Sequence, residues 1–320
     1  MALCDDLEAK QTQKYSHLVK LGTGSLNALQ QSTTEEELIR WWGHLQTNFG
    51  QIFDCVENVE ALRQTILQLA VTGRLGTEDE RDEPASELIR QIVEEKRHLI
   101  EFGVICRTKP VPEIDENDIP YTIPLSWKWV RLDDLTYIST GSTPSTTNPD
   151  YYQMGIIPWV TSSQTSLDYI SIADKKITQK AVDDCALKIY PIGTLLVALY
   201  GQGKTRGQVS ELKIDATINQ ACAAICFFDR SKLIKDFVKF VLKKNYHSIR
   251  SISAGGAQPN LNLDKIKRML IPLPPLREQK RIVDKLNDFM LICDQLDQRI
   301  YNRERISLSF TNSIIRGIVN

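Results

Sequence analysis

Apolar residues recur at helical spacing in the opening segment of the chain. Residues 1–21 contain no Gly or Pro, and the leucines Leu3, Leu7, Leu18 and Leu21 fall three or four positions apart within each pair. This spacing predicts a helix with one apolar face. Gly22 and Gly24 weaken the pattern, so we expect any helix beyond them to be a separate turn.

Three further helices are predicted before residue 107. The second covers about residues 35–49. The third covers about 52–69, with an apolar residue every three or four positions, and Gly73 ends it. Pro84 suits the first turn of a fourth helix that reaches about residue 102. Four prolines among acidic residues then predict a linker at 107–126.

From Trp127 the pattern changes to short β-like runs separated by turns. The runs are residues 129–132, 156–160, 195–199 and 223–228, and the turns lie at 141–144, 148–150 and 201–203. One helix at about 231–249 interrupts them, and a glycine turn follows at 254–256. The pattern predicts a second domain of mixed α/β (α+β) type, containing a β-sheet, over residues 127–270.

The last 50 residues, 271–320, are predicted to form one long helix after a Pro-rich start. Its apolar residues step by four and three: Ile282, Leu286, Phe289, Cys293, Leu296 and Ile300. That is the seam of a coiled coil. A long helix packed on a globular core remains the alternative. The partner of the seam is either the chain's own helices around 52–69 or a second copy.

A short internal repeat links the two ends of the chain. The segment MALCDDLE at 1–8 matches MLICDQLD at 290–297, with Met and Cys-Asp in the same frame. The same helical segment therefore opens and closes the chain. A unit with equivalent helices at both ends can continue into another copy of itself, in one chain or across a dimer.

Charge is distributed unevenly along the chain. Residues 121–275 hold 19 Lys and Arg against 12 Asp and Glu, a net charge of +7, although the whole chain has −1. A basic middle between acidic flanks suits a polyanion-binding domain. The seven cysteines and four histidines are scattered, so we expect reduced cysteines and no metal site. No secretory signal or apolar span is legible, so we expect a cytoplasmic protein.

Three catalytic motifs are nearly present but incomplete. GQGKT at 201–205 resembles the end of a phosphate-binding loop, but the required earlier glycine is Ala198 and the residues that follow start a helix poorly. NPDY at 148–151 lacks the second proline of an amino-methyltransferase motif. The pairs Asp133–Asp134 and Asp183–Asp184 are interpreted as surface charges. We therefore expect no catalysis by this chain.

Several longer segments together resemble one family, the specificity subunits of type I restriction–modification systems. They are LLVALYGQGKTRG at 195–207, ATINQA at 216–221, IPWVTSS at 157–163, QPNLN at 258–262, IPLPPLREQKRIV at 271–283 and ALRQTILQLAVTG at 61–73. The first three resemble a target-recognition domain, and the others resemble the helices that flank it. Typical members carry two such domains, whereas this chain has room for one and therefore resembles a half-subunit.

The resemblance implies a non-catalytic subunit that reads double-stranded DNA. It implies one target-recognition domain with a twisted β-sheet at 127–270, between a helical region at 1–106 and a long helix at 271–320, these helices forming an antiparallel coiled coil. It implies modification subunits that carry S-adenosylmethionine, and restriction subunits, reached through the complex, that use ATP and Mg. A homodimer of half-subunits would read a bipartite site.

Polar loop residues of the recognition domain are the predicted DNA contacts, because Arg suits guanine, Lys suits phosphate, and hydroxyl and amide groups suit both. They are Thr140, Ser142, Thr143, Thr161, Ser162, Ser163, Gln164, Tyr200, Gln202, Lys204, Arg206, Gln258 and Asn260. Helix residues are the predicted subunit or dimer interface. They are Cys4, Leu7, Leu62, Ile66, Leu69, Ile282, Leu286, Phe289, Cys293, Leu296 and Ile300.

Two other functions remain open at this point. A coiled-coil assembly or anti-restriction protein could mimic the subunit without binding DNA, and the basic middle of the chain argues against it. A methyltransferase acting in its own right would need a glycine-rich turn after a strand to hold S-adenosylmethionine, and no such turn is legible.

Overall fold

Ten α-helices and ten β-strands make up the part of the chain that this computed structural model describes, residues 2–107, 111–201, 205–229, 231–253 and 261–319. The predicted contacts Gln202, Lys204, Gln258 and Asn260, the side chains of Cys4 and Leu7, and the predicted turn at 254–256 lie outside the described residues. The chain divides into two units, Met1–Gly76 with Ile282–Asn320, and Thr77–Arg281.

The first unit is helical. It contains α1 (Ala2–Gln31), α2 (Glu35–Thr47), α3 (Phe49–Ile52), α4 (Val56–Val71) and the part of α10 (Leu276–Val319) that follows Arg281. Helix α2 begins where reciprocal capping predicts: Thr34 Oγ1 accepts the Glu37 N–H at 3.2 Å, and the Glu37 carboxylate accepts the Thr33 N–H at 2.9 Å. The helix predicted at 35–49 is confirmed, and the one predicted at 52–69 is confirmed from Val56 onward.

Helix α1 runs unbroken through both of its glycines, which corrects the prediction of a separate turn after them. Its neighbour α4 explains Gly22. The Asn58 side chain lies so close that a Cβ at Gly22 would stand 2.2 Å from the Asn58 Nδ2. That nitrogen donates to the carbonyls of Leu18 at 2.8 Å and Ile52 at 2.6 Å. Gly22 therefore allows α1 and α4 to approach closely.

The seam of α10 is covered within the chain itself. Ile282, Leu286 and Cys293 are fully buried. On α4, Arg63 donates to both Asp294 and Asp297 at 2.7 Å, so α10 packs against α4. The outcome matches the alternative of a long helix on a core as far as Ile300. Beyond Ile300, the described side chains are exposed or half-buried.

Several residues predicted as subunit interface therefore belong to the core of this unit, which corrects their assignment. Those buried are Leu62, Ile66, Leu69, Ile282, Leu286, Cys293 and Ile300; Phe289 and Leu296 are half-buried. The heptad spacing correctly indicated an apolar face that needs a partner. It could not show that helices of the same chain supply one.

The second unit combines helices with three sheets. Its helices are α5 (Ala85–Glu101), α6 (Leu132–Leu135), α7 (Gln179–Asp184), α8 (Lys235–Ser253) and α9 (Leu263–Lys267). Its strands are β1 (Lys128–Arg131), β2 (Thr136–Thr140), β3 (Ile157–Val160), β4 (Tyr169–Ile170), β5 (Lys175–Ile177), β6 (Leu195–Ala198), β7 (Val209–Leu212), β8 (Thr217–Ile218), β9 (Cys222–Phe227) and β10 (Leu270–Leu273). The mixed fold predicted from the sequence is confirmed.

Sheet pairing decides which loops meet. The five-stranded sheet has the order β2-β9-β6-β7-β4, and the three-stranded sheet has the order β5-β3-β8. Both β2 and β6 run antiparallel to β9, so β2 and β6 end on the same side of the sheet. In the smaller sheet β3 and β8 are parallel, so they also end together. A third pairing joins β1 to β10.

The segment predicted as a linker packs on the second unit. Arg131, which is 7% exposed, donates from Nε to the Pro112 carbonyl at 2.6 Å. Its second Nη donates to the Glu113 carbonyl at 2.9 Å and to Asp118 at 3.0 Å. Helix α5, which we predicted within the N-terminal helical region, also falls in the second unit, because the division lies after Gly76.

Candidate nucleic-acid interface

Three predicted loops meet around one short connection. We name residues 218–222, which join β8 to β9, the 218–222 connector. Its Ile218 carbonyl accepts the Ser142 N–H at 3.2 Å. Its Asn219 N–H donates to the Val160 carbonyl at 3.0 Å, where the loop from Thr161 begins. Its Ala221 carbonyl accepts the Leu199 N–H at 2.8 Å, where the loop around 200–206 begins. We call the end of the five-stranded sheet that lies at this connector, where β2 and β6 end and β9 begins, the reading end.

The first loop, at 140–143, needs glycine for its close approach to the connector. A Cβ on Gly141 would lie 1.7 Å from the Ile218 carbonyl oxygen. Residues with side chains cannot occupy this position without moving the backbone. From the next residue, the Ser142 carbonyl accepts the Trp159 Nε1–H at 3.3 Å. The glycine thus places neighbouring hydroxyl residues directly beside the connector.

Hydroxyl groups of the same loop are tied to Gln220 in the connector. Thr140 Oγ1 donates to the carbonyls of Gln220 at 3.3 Å and Cys222 at 2.8 Å. Thr143 Oγ1 donates to the Gln220 side-chain Oε1. On the interior side of the loop, the hydroxyl of the buried Tyr190 donates a hydrogen bond to the Thr140 carbonyl at 3.0 Å. Burial raises the pKa of Tyr190 to about 12, so this phenol remains a donor at neutral pH.

The second loop begins after β3 and is partly internal. Thr161 and Ser163 are 2.8 Å apart at their hydroxyl oxygens, and Ser163 is exposed. Gln164 is only 5% exposed: its Nε2 donates to the Ile172 carbonyl at 2.9 Å and its Oε1 accepts the Asp174 N–H at 3.2 Å. Gln164 anchors the loop from inside, which corrects its assignment as a surface contact.

The third loop begins after β6, and its last residues lead into β7. Tyr200 is 47% exposed, and the neighbouring Gly201 has φ of 150°, a conformation that L side chains rarely adopt. Arg206 is half-buried and precedes Gly207, which has φ of 80°. Because the chain after Arg206 enters β7, the described residues hold no helix where a phosphate-binding P-loop requires one.

Part of the basic charge of this unit lies away from the connector. Four lysines, Lys213, Lys235, Lys239 and Lys243, contact Glu211 or Asp168 within 3.2 Å, and we name these six residues the lysine cluster. Glu211 pairs with Leu195 at the start of β6, whereas the third loop follows the end of that strand. The cluster therefore lies toward the opposite end of the sheet from the connector.

Glu211 is ionised at the centre of the lysine cluster. Burial opposes its ionisation, but hydrogen bonds from Lys213 and Lys235 at 2.8 Å lower its pKa to about 2. Lys239 is 6% exposed, and its ammonium lies 3.2 Å from the Glu211 carboxylate and 3.7 Å from the Tyr169 ring centroid. The cluster therefore connects β7 and the segment before β4 to α8.

The near-catalytic motifs have structural surroundings. Asn148 accepts the Asp150 N–H at 3.1 Å and so caps a single 3-10 turn. Asp133 is 5% exposed and contacts Lys96 at 3.2 Å, so the prediction of a surface charge is wrong for this residue. The side chains that the structure describes contain no group of three His, Cys, Asp or Glu able to hold a metal.

The profile of one protein family, the type I restriction modification DNA specificity domain, matches residues 124–303, which is more than half of the chain. The chain belongs to this family. Among curated relatives, the EcoEI specificity subunit of Escherichia coli is 27% identical over 100% of this chain and 55% of its own length. The EcoAI subunit of the same species is 26% identical with the same coverage. The chain thus spans about half the length of these relatives.

Among solved structures, the chain is similar to an HsdS subunit from Thermoanaerobacter tengcongensis. The two share 18% sequence identity with a TM-score of 0.43, and the match covers 79% of this chain and 57% of that one. An S subunit from M. genitalium has 12% identity and a TM-score of 0.38, covering 78% and 58%. No helix among the described residues is long and apolar enough to span a membrane.

Sequence reasoning missed two residues that organise the reading end. Gln220 lies within the ATINQA motif but was not among the predicted contacts, although it is exposed and holds the first loop. Tyr190 carries no local signal, because its role depends on reaching Thr140 across the fold. The predicted contacts that the structure describes, Gln164 apart, lie in the three loops that meet the connector.

Proposed function

We propose that this chain is the DNA sequence-recognition subunit of a type I restriction–modification complex. It directs modification and restriction subunits to a bipartite DNA target. Family membership supports this function, and one observation carries it to particular residues. The loops at 140–143 and 161–164, and the start of the loop that follows Leu199, meet the 218–222 connector, where hydroxyl and amide groups lie at one end of the sheet. Such groups suit both phosphate oxygens and base edges.

The chemistry of the complex is assigned to partners. The modification subunit binds S-adenosylmethionine and transfers the methyl group, and the restriction subunit uses ATP and Mg. This chain recognises the DNA sequence and binds none of these cofactors. The purified chain should therefore neither methylate nor cleave DNA, and it should hydrolyse no ATP. Methyl transfer or ATP hydrolysis by homogeneous protein that tracks with the chain on purification would contradict this assignment.

The helical unit is assigned to assembly. In the described part of α1, side chains before Leu18 are exposed, and α10 carries exposed Tyr301, Ile306 and Phe310 beyond its buried seam. Exposed apolar residues on helix ends suit protein partners. A groove of about 280 Å³ on the same unit is lined by Trp42, Phe49, Phe53, Phe289 and Ile292. We assign these surfaces to the modification subunit and to a second copy of this chain.

Two copies would assemble head to tail and read an inverted repeat. The repeat at 1–8 and 290–297 supports this arrangement. Its second copy lies on α4, with Cys293 buried and Asp294 and Asp297 bound to Arg63. In the assembly, the matching Cys4, Asp5 and Glu8 would occupy positions equivalent to those of Cys293, Asp294 and Asp297. Two identical recognition domains related by a two-fold axis read two inverted half-sites.

Two measurements test these proposals. Sequencing of methylated sites from cells that carry this chain with its modification partner should show a motif in two inverted parts. Light scattering should show two copies of the chain in the complex. A single unrepeated motif, or one copy per complex, would contradict the dimer. Absence of any sequence-dependent methylation, despite an active modification subunit, would contradict the recognition function itself.

A further inference from the structure

Gln220 is held at two points by the first loop of the reading end. Its backbone carbonyl accepts Thr140 Oγ1 at 3.3 Å, and its side-chain Oε1 accepts Thr143 Oγ1. The connector itself is fixed on both sides of Gln220. The Ala221 N–H donates to Asn219 Oδ1 at 3.2 Å, and the Cys222 N–H donates to the Asn219 carbonyl at 3.2 Å. The exposed residue Gln220 is thus held both at its backbone carbonyl and at its side-chain amide oxygen.

The side-chain amide nitrogen of Gln220 is the polar group of this side chain that the first loop does not hold. A glutamine side chain has one acceptor oxygen and an NH2 group with two donors. Within the described part of the chain, Nε2 has no hydrogen-bond partner, and the residue is exposed. Because Thr143 already restricts the amide, a ligand that accepts from Nε2 meets less of the ordering cost of a free side chain.

We propose that the Gln220 Nε2 donates a hydrogen bond to a phosphate oxygen of the DNA backbone at the reading end. This inference rests on the proposed function. The free part of the amide offers donors only, which match the acceptor oxygens of a phosphate. Bidentate reading of adenine would need Oε1 as well as Nε2, and Oε1 is engaged by Thr143. On this proposal, Gln220 is a contact that positions the duplex without reading its sequence.

A neutral donor leaves a distinctive mark on binding. The dependence of affinity on salt counts the phosphates that cations neutralise. Gln220 carries no charge, so its removal weakens binding without changing that dependence. Because the contact is to the backbone, the loss is equal for target and unrelated duplexes. We expect Gln220→Ala to lower affinity about tenfold for both, in line with a hydrogen bond to a charged group.

Gln220→Glu separates this role from a structural one. The substitution keeps an oxygen that accepts from Thr143 and replaces the NH2 group by a second, charged oxygen. If Gln220 only holds the loop and lies away from the DNA, the variant binds DNA like the wild type. With a phosphate opposite Nε2, we expect at least a tenfold loss of affinity with an unchanged melting temperature. The matched control is Gln153→Glu, the same charge change at an exposed residue before β3, at the other end of that strand from the second loop. We expect less than a twofold loss there.

The experiment measures duplex affinity of the chain with its modification partner at several salt concentrations, together with the methylated motif. Equal losses of affinity for Gln220→Glu and Gln153→Glu would overturn the inference. A wild-type affinity of Gln220→Glu would overturn it as well. A change of the methylated motif at one base pair would show base reading and would also overturn it. Absence of duplex binding by the wild-type complex would instead contradict the proposed function.

Discussion

The two ends of the five-stranded sheet use polar residues in opposite ways. At the end opposite the reading end, which we call the far end, the lysines of the lysine cluster are engaged in ion pairs. Lys239, for example, is 6% exposed, and its ammonium lies 3.2 Å from the Glu211 carboxylate. At the reading end, hydroxyl and amide groups of Ser163 and Gln220 are exposed, and their loops are fixed by backbone hydrogen bonds. The far end uses ion pairs to hold the fold, and the reading end exposes neutral groups, beside the half-buried Arg206, on loops fixed by backbone hydrogen bonds.

This difference changes the meaning of the net charge. The count of +7 over residues 121–275 pointed to a polyanion partner. Four of those lysines, however, are engaged in ion pairs at the far end of the sheet. Charge along a sequence therefore indicates the class of partner less well than the position of the charge in the fold. Convergence of polar loops at the reading end supports the DNA-binding proposal more directly than the count does.

Removal of Glu211 should give the largest effect of the comparison. Glu211→Ala leaves Lys239 buried without its carboxylate partner. Loss of one member of a buried ion pair costs about 3–5 kcal/mol. Urea unfolding of the variant should show this loss, while the fraction that remains folded binds DNA with unchanged affinity. An equal fall in the DNA affinity of folded molecules would break the separation between the two ends.

The same carboxylate should give a pH dependence of stability. Its pKa is lowered from 4.5 to about 2, so its contribution is complete above about pH 4.5 and is lost as pH falls toward 2. The shift corresponds to at most about 3 kcal/mol. Between pH 4.5 and 2, the free energy of unfolding should fall less steeply for Glu211→Gln than for the wild type. Identical slopes would contradict the ion-pair assignment.

Gly141→Ala should damage the reading end. The new Cβ would meet the Ile218 carbonyl oxygen, so the first loop must move away from the connector. We expect a loss of about 1–3 kcal/mol in stability and loss of duplex binding. Gly24→Ala is the control, because a Cβ there meets nothing within 4 Å and α1 should gain up to about 1 kcal/mol. Normal DNA binding by Gly141→Ala would remove the first loop from the interface.

Arg206→Ala should weaken DNA binding without unfolding the domain. If Arg206 reads a base, discrimination should relax at one position by about 1–3 kcal/mol. If it contacts phosphate, affinity should fall for all sequences and depend less steeply on salt. Binding assays on a panel of duplexes at several salt concentrations distinguish the two. Unchanged binding in both tests would exclude the third loop from the interface.

Lys213→Ala should have the smallest effect. Lys213 is 42% exposed and contacts Glu211 at 2.8 Å at the far end of the sheet. Exposed ion pairs contribute at most about 1 kcal/mol. Both the duplex affinity and its salt dependence should stay at wild-type values. A shallower salt dependence would show that the lysine cluster, too, faces DNA.

Local pattern predicted the elements well and their meetings poorly. Helical spacing and turn residues located α2, α4, α5 and α10, and the runs at 195–199 and 223–228 became β6 and β9. The contact between Thr143 and Gln220 joins residues 77 positions apart, and nothing local signals it. Burial of Gln164 was equally invisible, because a polar loop residue has the same composition whether it faces solvent or the interior.

Amide hydrogen exchange of the complex with its modification partner, with and without target duplex, tests the central claim most directly. The proposed function predicts that DNA slows exchange in the loops at 140–143 and 161–166 and in the 218–222 connector. It also predicts unchanged exchange at 235–243, where α8 carries three of the four clustered lysines. Slower exchange in α8 on addition of target duplex would contradict the proposed function. Unchanged exchange in all three segments of the reading end would contradict it as well.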